Sequence, residues 1–123
     1  EGIINMVVET VKIAGPNPCP PTVIGIGIGG NFETAPLAAK RALLKAEGVR
    51  NPIKEYGNME TEILRRVNNL GIGPGGYGGE VTALDAHIET LPTHIAGMPV
   101  AVNLCCHALR HAEGIIEGRL CNG

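Results

Sequence analysis

The chain has 123 residues, a formal net charge of −2 and 18% charged residues, which suits one domain with a true core and excludes a basic nucleic-acid-binding stripe. Hydrophobic residues make up 44% of the chain but aromatic residues only 2%, so we expect an aliphatic core and no base stacking. No apolar run approaches the roughly 20 residues of a membrane span and no leader pattern is present. We therefore expect no membrane partner and a cytoplasmic, reducing setting for the cysteines.

The first elements are a helix, a rigid extended segment and a strand. Apolar residues at helical spacing predict a helix that ends near Gly15. The chain opens in this helix without Met, which indicates a fragment or a processed chain. Four prolines around Cys19 predict an extended segment. Residues 22–28 are β-branched and apolar apart from glycine, so they predict a buried strand.

Two further helices and a glycine-rich loop are predicted in the middle of the chain. Thr34 can cap a helix that runs to Ala46 and that Gly48 stops. Asn58 can cap a second helix, which Gly71 ends. The buried stripe of that helix is Met59, Ile63, Val67 and Leu70. Residues 71–79, GIGPGGYGG, predict a loop that could approach an anion through its backbone N–H groups.

The last third predicts strands over residues 81–88 and 99–104, a turn over 92–97 between them, and a helix over 107–116. Helices thus alternate with buried strands, which predicts an α/β fold, with α+β as the alternative. We expect a single domain over residues 1–123, in which helices flank aliphatic buried strands and glycine-rich loops form the site.

Residues 25–30, GIGIGG, match the dinucleotide pattern G-x-G-x-x-G between a strand and a helix. Glu47 lies near the distance of the acidic residue of that fingerprint, but no strand precedes it, so the signal is weak. Close packing with a tight turn and a general anion site remain equally open. A nucleotide-binding module is the alternative function from another class.

Two cysteines lie where a protein can present a thiolate ligand. Prolines hold Cys19 rigidly, although a small buried hydrophobe is the commoner role of a lone cysteine. Cys106 lies where a strand is predicted to meet a helix, and a helix N-terminus favours the thiolate. No C-x-x-C pair occurs, so the spacing is neither that of a zinc ribbon nor that of a ferredoxin.

The four histidines differ in their predicted surroundings. His94 lies in the PTHIAG turn between two strands, where an imidazole could donate to a carboxylate or move a proton. His87 shares a strand face with Glu89, which favours a structural pair. His107 and His111 are spaced i, i+4 on the predicted last helix, and a shared ligand or an ordinary helix face both remain open.

Three long segments together resemble the iron–sulfur hydro-lyases of the class I fumarase type, with heterodimeric tartrate dehydratases as relatives. They are NPCPPTVIGIGIGGNFETAPLAAKRALL, GIGPGGYGG with the following TALDAHIETLPTHIAGMPVAVN, and CCHALRHAE. The likeness runs in order over nearly the whole chain. It corresponds to the later part of the α subunit, or of the N-terminal domain in single-chain forms.

The resemblance implies reversible hydration of fumarate to L-malate, a tricarboxylic acid cycle reaction, with a 4Fe–4S cluster whose open iron acts as a Lewis acid. It implies that Cys19 and Cys106 are two cluster ligands and that His94 contacts the substrate carboxylate. The third ligand cysteine would lie outside this chain. Cys105 and Cys121 have no role in the resemblance.

The resemblance also implies partners. They are a β subunit or C-terminal domain, an oligomer, and a small dicarboxylate substrate. We therefore expect the 123-residue chain to be inactive alone. A tartrate dehydratase subunit is the alternative with the same chemistry.

Overall fold

The computed structural model describes residues 1–110 and 112–118. Its helices are α1 (Gly2–Ala14), α2 (Thr34–Ala42) and α3 (Lys54–Asn68), and its strands are β1 (Thr22–Ile28), β2 (Ala83–Thr90) and β3 (Val100–Cys105). Two short 3₁₀ turns cover Pro74–Gly76 and His107–Leu109. Helices and strands alternate along the first part of this order, so the α/β prediction is confirmed.

The three strands form one mixed sheet in the order β2-β1-β3. The central strand β1 runs parallel to β2 and antiparallel to β3. Every residue of β1 is buried, which explains why the strand after Thr22 is an unbroken run of apolar residues and glycine.

Helices cover both faces of the sheet. One face carries the isoleucines of β1, and α1 and α3 pack together against it. The buried residues there are Ile4, Val7, Val11, Ile24, Ile26, Ile28, Ile63, Val67, Ala83, Ala86 and Ile88. This core is aliphatic, as the composition predicts. The stripes predicted for α1 and α3 are confirmed, with Met59 and Leu70 packed at the margin of the cluster.

At Gly25 and Gly27 the opposite face of β1 is bare backbone, and α2 lies directly on it. A Cβ atom on Gly25 would lie 2.1 Å from the carbonyl oxygen of Ala39, and one on Gly27 would lie 2.1 Å from that of Ala35. Both distances are far below contact, so only glycine permits this approach. The helix matches them with small residues, because Ala35, Ala38, Ala39 and Ala42 are its buried positions.

The outer edge of β2 is closed by side chains rather than by another strand. The side chain of Asn68 accepts from the N–H groups of Thr82 (2.9 Å) and Ala83 (2.8 Å). Arg50 donates to the carbonyl of Ala86 (3.2 Å). At Ile88, Asn51 donates to the carbonyl (3.0 Å) and Glu60 accepts from the N–H (2.8 Å). These bonds satisfy groups that an edge strand would otherwise offer to another chain.

Two buried carboxylates organise this edge. Glu60 and Asp85 are 0% and 1% exposed, and the guanidinium of Arg50 forms an ion pair with each. The N–H of Gly48 also donates to Asp85 at 2.7 Å. Burial alone would raise the pKa of Asp85, but the bonds from Arg50 and Gly48 outweigh it and lower that pKa.

His87 lies on the same strand, fully buried, and its partner is not the predicted one. Its Nε2 is 3.5 Å from Asp85, whereas Glu89 pairs with Lys45 at 2.9 Å. Neither ring nitrogen of His87 makes a hydrogen bond within the described residues. Burial lowers the pKa of His87 more than Asp85 and Glu60 raise it.

The two middle helices differ from their predicted bounds. α2 ends at Ala42 rather than Ala46, because the chain turns there and brings Lys45 to the carbonyl of Ile88. α3 begins at Lys54, so Asn58 lies inside it. The N-cap is Ile53, and the side chain of Asn51 accepts from its N–H at 3.0 Å, in the turn before the helix.

The predicted helix over residues 107–116 is wrong within the described residues. One 3₁₀ turn follows β3, and residues 112–118 are exposed and without regular structure. A short helix needs a packed face to be stable, and this segment has none here. His111 and Cys121 lie outside the described residues.

The strand predictions are confirmed with small shifts. β2 covers 83–90 rather than 81–88, and β3 covers 100–105 rather than 99–104. None of the helices in residues 1–110 and 112–118 combines the length and apolarity needed to cross a membrane.

We predict that Gly27→Ala lowers the free energy of unfolding by about 3 kcal/mol, because α2 must move off the sheet. Gly2→Ala is the matched control, since a Cβ there meets nothing within 4 Å, and we expect a change within about 0.5 kcal/mol. Urea unfolding followed by circular dichroism measures both. A Gly27→Ala protein as stable as wild type would contradict the packing argument.

We predict that stability falls in two stages on acidification. The lowered pKa of His87 means that the unfolded chain binds its proton first, so stability is lost as the pH falls below 6.5. The lowered pKa of Asp85 adds a second loss below 3.8. Thermal melts between pH 7 and 3 test this, and His87→Gln should remove the first stage while it leaves the second.

Candidate functional site

Three motifs that are far apart in the sequence meet at the N-terminal end of β1. Cys19 lies three residues before this strand, and Cys106 directly follows β3, where Cys105 pairs with Val23. The glycine-rich loop joins them through a 2.8 Å bond from the N–H of Gly75 to the carbonyl of Pro20. The segments NPCPP, GIGPGGYGG and CCHALR therefore form one site.

Cys19 holds an unusual backbone conformation. Its φ is 56°, and it is the one non-glycine residue with positive φ among the described residues. Such a conformation costs on the order of 1–3 kcal/mol and persists only where the surroundings impose it. Here the N–H of Cys19 donates to Pro16 at 3.1 Å, and its carbonyl lies 3.1 Å from Nδ1 of His107. The thiol is exposed.

Cys106 presents its thiol from the start of a 3₁₀ turn. Its sulfur accepts from the N–H of Ala108 at 3.4 Å, which fixes the side chain at the start of the turn. The adjacent Cys105 still belongs to β3 and pairs with Val23, on the face of β1 that α2 covers. Cys19, Cys105 and Cys106 are all free thiols.

A shallow basin of about 420 Å³ opens beside Cys19. It is lined by Pro16, Cys19, Pro20, Pro21, Pro74, Gly75, His107 and Arg110. The loop wall depends on Gly76, since a Cβ there would lie 2.3 Å from Pro16. Arg110 was not predicted from the sequence. The signal that could have identified it is its position four residues after Cys106 in CCHALR. Its guanidinium suits a carboxylate.

The donor set fits a thiolate-bound metal centre only in part. Two cysteines lie at one end of β1, and one of them is held in a strained conformation. Within residues 1–110 and 112–118, however, no group of three Cys, His, Asp or Glu residues converges closely enough to hold a metal ion. A metal ion held by these two cysteines would need a third ligand from outside the described residues.

His94 lies in the loop from β2 to β3, at the opposite end of β1. Its Nδ1 accepts from the N–H of Ala96 at 3.1 Å. In the neutral ring Nε2 therefore carries the proton and is the donor. The side chain is exposed, so this donor is available to a ligand.

Two adjoining hollows surround His94. Asn31 and Thr93 give them polar walls, and Phe32 and Met98 give an apolar one. Phe32 is 93% exposed. Such a mixture suits a small ligand with both polar and apolar atoms.

The structure argues against a nucleotide site at GIGIGG, because the backbone N–H groups that such a site needs are covered or already bonded. Gly25 and Gly27 lie beneath α2, where no phosphate can reach them. At the start of α2, the side chain of Asn31 already accepts from the N–H groups of Glu33 and Thr34, each at 2.9 Å. The packing interpretation explains these glycines.

The structure does not bring His94 and the two cysteines together within one chain. Residues 22–28 separate them as a seven-residue strand, which spans roughly 20 Å at about 3.3 Å per residue. Cys19 and Cys106 share one end of this strand, and the His94 loop leaves from the other, where Leu91 bonds to Ile28 at 2.8 Å.

Comparison with known proteins places the chain among named relatives. A family model described as "Fumarate hydratase (Fumerase)" matches residues 1–115. A Methanocaldococcus jannaschii protein named "Putative L(+)-tartrate dehydratase subunit alpha" is 50% identical over 112 residues, which cover 91% of this chain and 39% of that protein. The "L(+)-tartrate dehydratase subunit alpha" of Escherichia coli (strain K12) is 32% identical over 120 residues, which cover 98% of this chain and 40% of that protein. The chain thus spans about two fifths of the length of these curated relatives.

Proposed function

We propose, from the premise that this chain belongs to the fumarate hydratase (Fumerase) family, that it forms part of the α subunit of an iron–sulfur hydro-lyase. The enzyme would add water to the double bond of a small dicarboxylate and remove it in reverse. The observation that carries the proposal is the meeting of Cys19 and Cys106, from separate motifs, at one end of β1.

Cys19 and Cys106 would hold two irons of a 4Fe–4S cluster. The third thiolate would come from the part of the subunit that precedes these residues. When bound, the cluster supplies a Lewis acid that polarises the substrate carboxylate and hydroxyl. The strained conformation of Cys19 and the N–H bond to Cys106 support the assignment, because each holds a cysteine in one defined conformation before any metal arrives.

The remaining site residues would bind the substrate as an anion. Arg110 places a guanidinium beside the basin next to Cys19, where it would neutralise a carboxylate. His94 would donate its Nε2 proton to a carboxylate, because Ala96 occupies Nδ1.

We propose fumarate and L-malate as the substrate pair, in the cytoplasm and in the tricarboxylic acid cycle, on the basis of the family. L(+)-tartrate is the second candidate, because the relatives named above are tartrate dehydratase subunits. We further propose that a β subunit, or a C-terminal domain, completes the enzyme, since those relatives are named as α subunits.

We predict that Cys106→Ser in the full-length subunit, assembled with its partner, lowers iron content and activity by more than about 100-fold. Replacing a supporting residue of a metal ligand already costs about 10–100-fold, and here the ligand itself is lost. Cys19→Ser should behave alike. The neighbouring Cys105→Ser is the matched control and should stay within roughly twofold of wild type.

Iron analysis and hydratase assays after anaerobic reconstitution measure these effects. Equal loss in Cys105→Ser and Cys106→Ser would contradict the choice between the two neighbours. The isolated 123-residue chain should show no hydratase activity after the same treatment, and turnover by it would overturn the proposed need for further parts.

We predict that the kcat/KM of the reconstituted enzyme is at least tenfold higher for hydration of fumarate than for dehydration of L(+)-tartrate. A tenfold difference corresponds to about 1.4 kcal/mol of transition-state binding. Side-by-side assays with fumarate, L-malate and L(+)-tartrate decide between the candidates. Preference for tartrate would keep the chemistry and reassign the substrate. Iron binding without turnover of any of them would overturn the hydro-lyase proposal.

A further inference from the structure

Prolines restrict the ways in which the segment around Cys19 can be held in place. Proline has no backbone N–H, and residues 16, 18, 20 and 21 are prolines. The N–H of Cys19 is used locally, in a 3.1 Å bond to the carbonyl of Pro16. Backbone bonds from more distant parts of the chain therefore reach this segment through its carbonyl groups. Two of these carbonyls, those of Cys19 and Pro20, receive such a bond.

The carbonyl of Cys19 is held by the residue that follows Cys106. Nδ1 of His107 lies 3.1 Å from this oxygen. A carbonyl oxygen can only accept a hydrogen bond, so Nδ1 carries the proton and donates. His107 is the first residue of the 3₁₀ turn after β3, and the sulfur of Cys106 accepts from the N–H of Ala108 in the same turn. One turn therefore fixes Cys106 and also reaches across to Cys19.

The same bond separates the role of His107 from that of His94. In His94, Nδ1 accepts from the N–H of Ala96, which leaves the proton on Nε2 for a ligand. In His107, the proton lies on Nδ1 and is already donated to the backbone of Cys19. The neutral ring then has no second N–H to offer a substrate. The imidazole of His107 therefore acts on the protein itself.

We propose that His107 is a positioning residue that ties the two cysteines together and sets the direction of the Cys19 thiol. The inference rests on the proposed function, which assigns both thiols to one cluster. The bond from Cys19 to Pro16 fixes the peptide plane before the Cys19 Cα, and the bond from His107 fixes the plane after it. Together they hold the φ of 56°. Groups that orient a metal ligand in this way support its binding without contacting the metal.

Hydrogen exchange tests the link in the cluster-free full-length subunit, assembled with its partner. Residues 16–21 contain only two backbone amide hydrogens, those of Asn17 and Cys19, because the other four residues are prolines. We expect His107→Leu to accelerate exchange in this segment about three- to tenfold, the range that corresponds to one intramolecular hydrogen bond. Exchange in α1 should not change. Unchanged exchange over residues 16–21 would overturn the inference.

A series of substitutions at position 107 shows which ring atom is needed. The amide nitrogen of Asn lies the same number of bonds from Cα as Nδ1, whereas that of Gln lies one bond further, like Nε2. We therefore expect His107→Asn to stay within about twofold of wild type, both in exchange and in the rate of iron loss to EDTA after reconstitution. His107→Gln and His107→Leu should lose iron about 10–100-fold faster, the usual cost of removing a group that orients a ligand.

The outcomes distinguish positioning from substrate binding and from failure of the proposed function. Wild-type iron retention in His107→Leu with a raised KM for fumarate would assign His107 to the substrate and overturn the inference. Retention by His107→Gln as good as by His107→Asn would overturn the specific bond from Nδ1. Absence of iron from the reconstituted wild-type enzyme would overturn the hydro-lyase proposal itself, while the exchange experiment on the cluster-free protein would still decide whether the link to Cys19 forms.

Discussion

The close contact between α2 and the bare backbone of β1 is the constraint on which the rest of this structure depends. Gly25 and Gly27 let the carbonyls of Ala39 and Ala35 approach within a distance that any side chain would forbid. The contact fixes the helix on one face of the strand, while the isoleucines of β1 fix α1 and α3 on the other. The central strand is thereby immobilised, and both of its ends become fixed points from which loops can present chemical groups.

The polar network beside β2 has a complementary role. Glu60, Asp85 and Arg50 are held where an edge strand needs hydrogen-bonding partners, and they satisfy backbone groups as well as one another. A buried ion pair of this kind is weak support for stability, because desolvation offsets most of its attraction. Its value here is specificity, since it decides which edge of the sheet is closed. The asymmetry between the two edges follows from these three side chains together with Asn51 and Asn68.

Local patterns in the sequence were sufficient for most of the elements and for the core, but not for the last predicted helix or for the site as a whole. Spacing located α1, β1 and the stripe of α3, because burial dictates those residues. The start of α3 was not predicted, since its N-cap is Ile53 and no side chain caps the helix. The role of Glu60 escaped for the same reason, because only tertiary contacts show that a carboxylate lies in the core. The strained backbone of Cys19 and the position of Arg110 beside the basin can be seen only in the folded structure. The separation of His94 from the cysteines follows from the order of the strands in the sheet, which no local sequence pattern contains.

The length of β1 carries an evolutionary consequence. Side chains alternate between the two faces of a strand, so inserting or deleting one residue would exchange the glycines beneath α2 for isoleucines and place glycine in the core. Such a change would abolish both packing surfaces at once. The distance between the two ends of the strand is therefore inherited as a unit. The connecting loops at either end, by contrast, can change without disturbing this spacer.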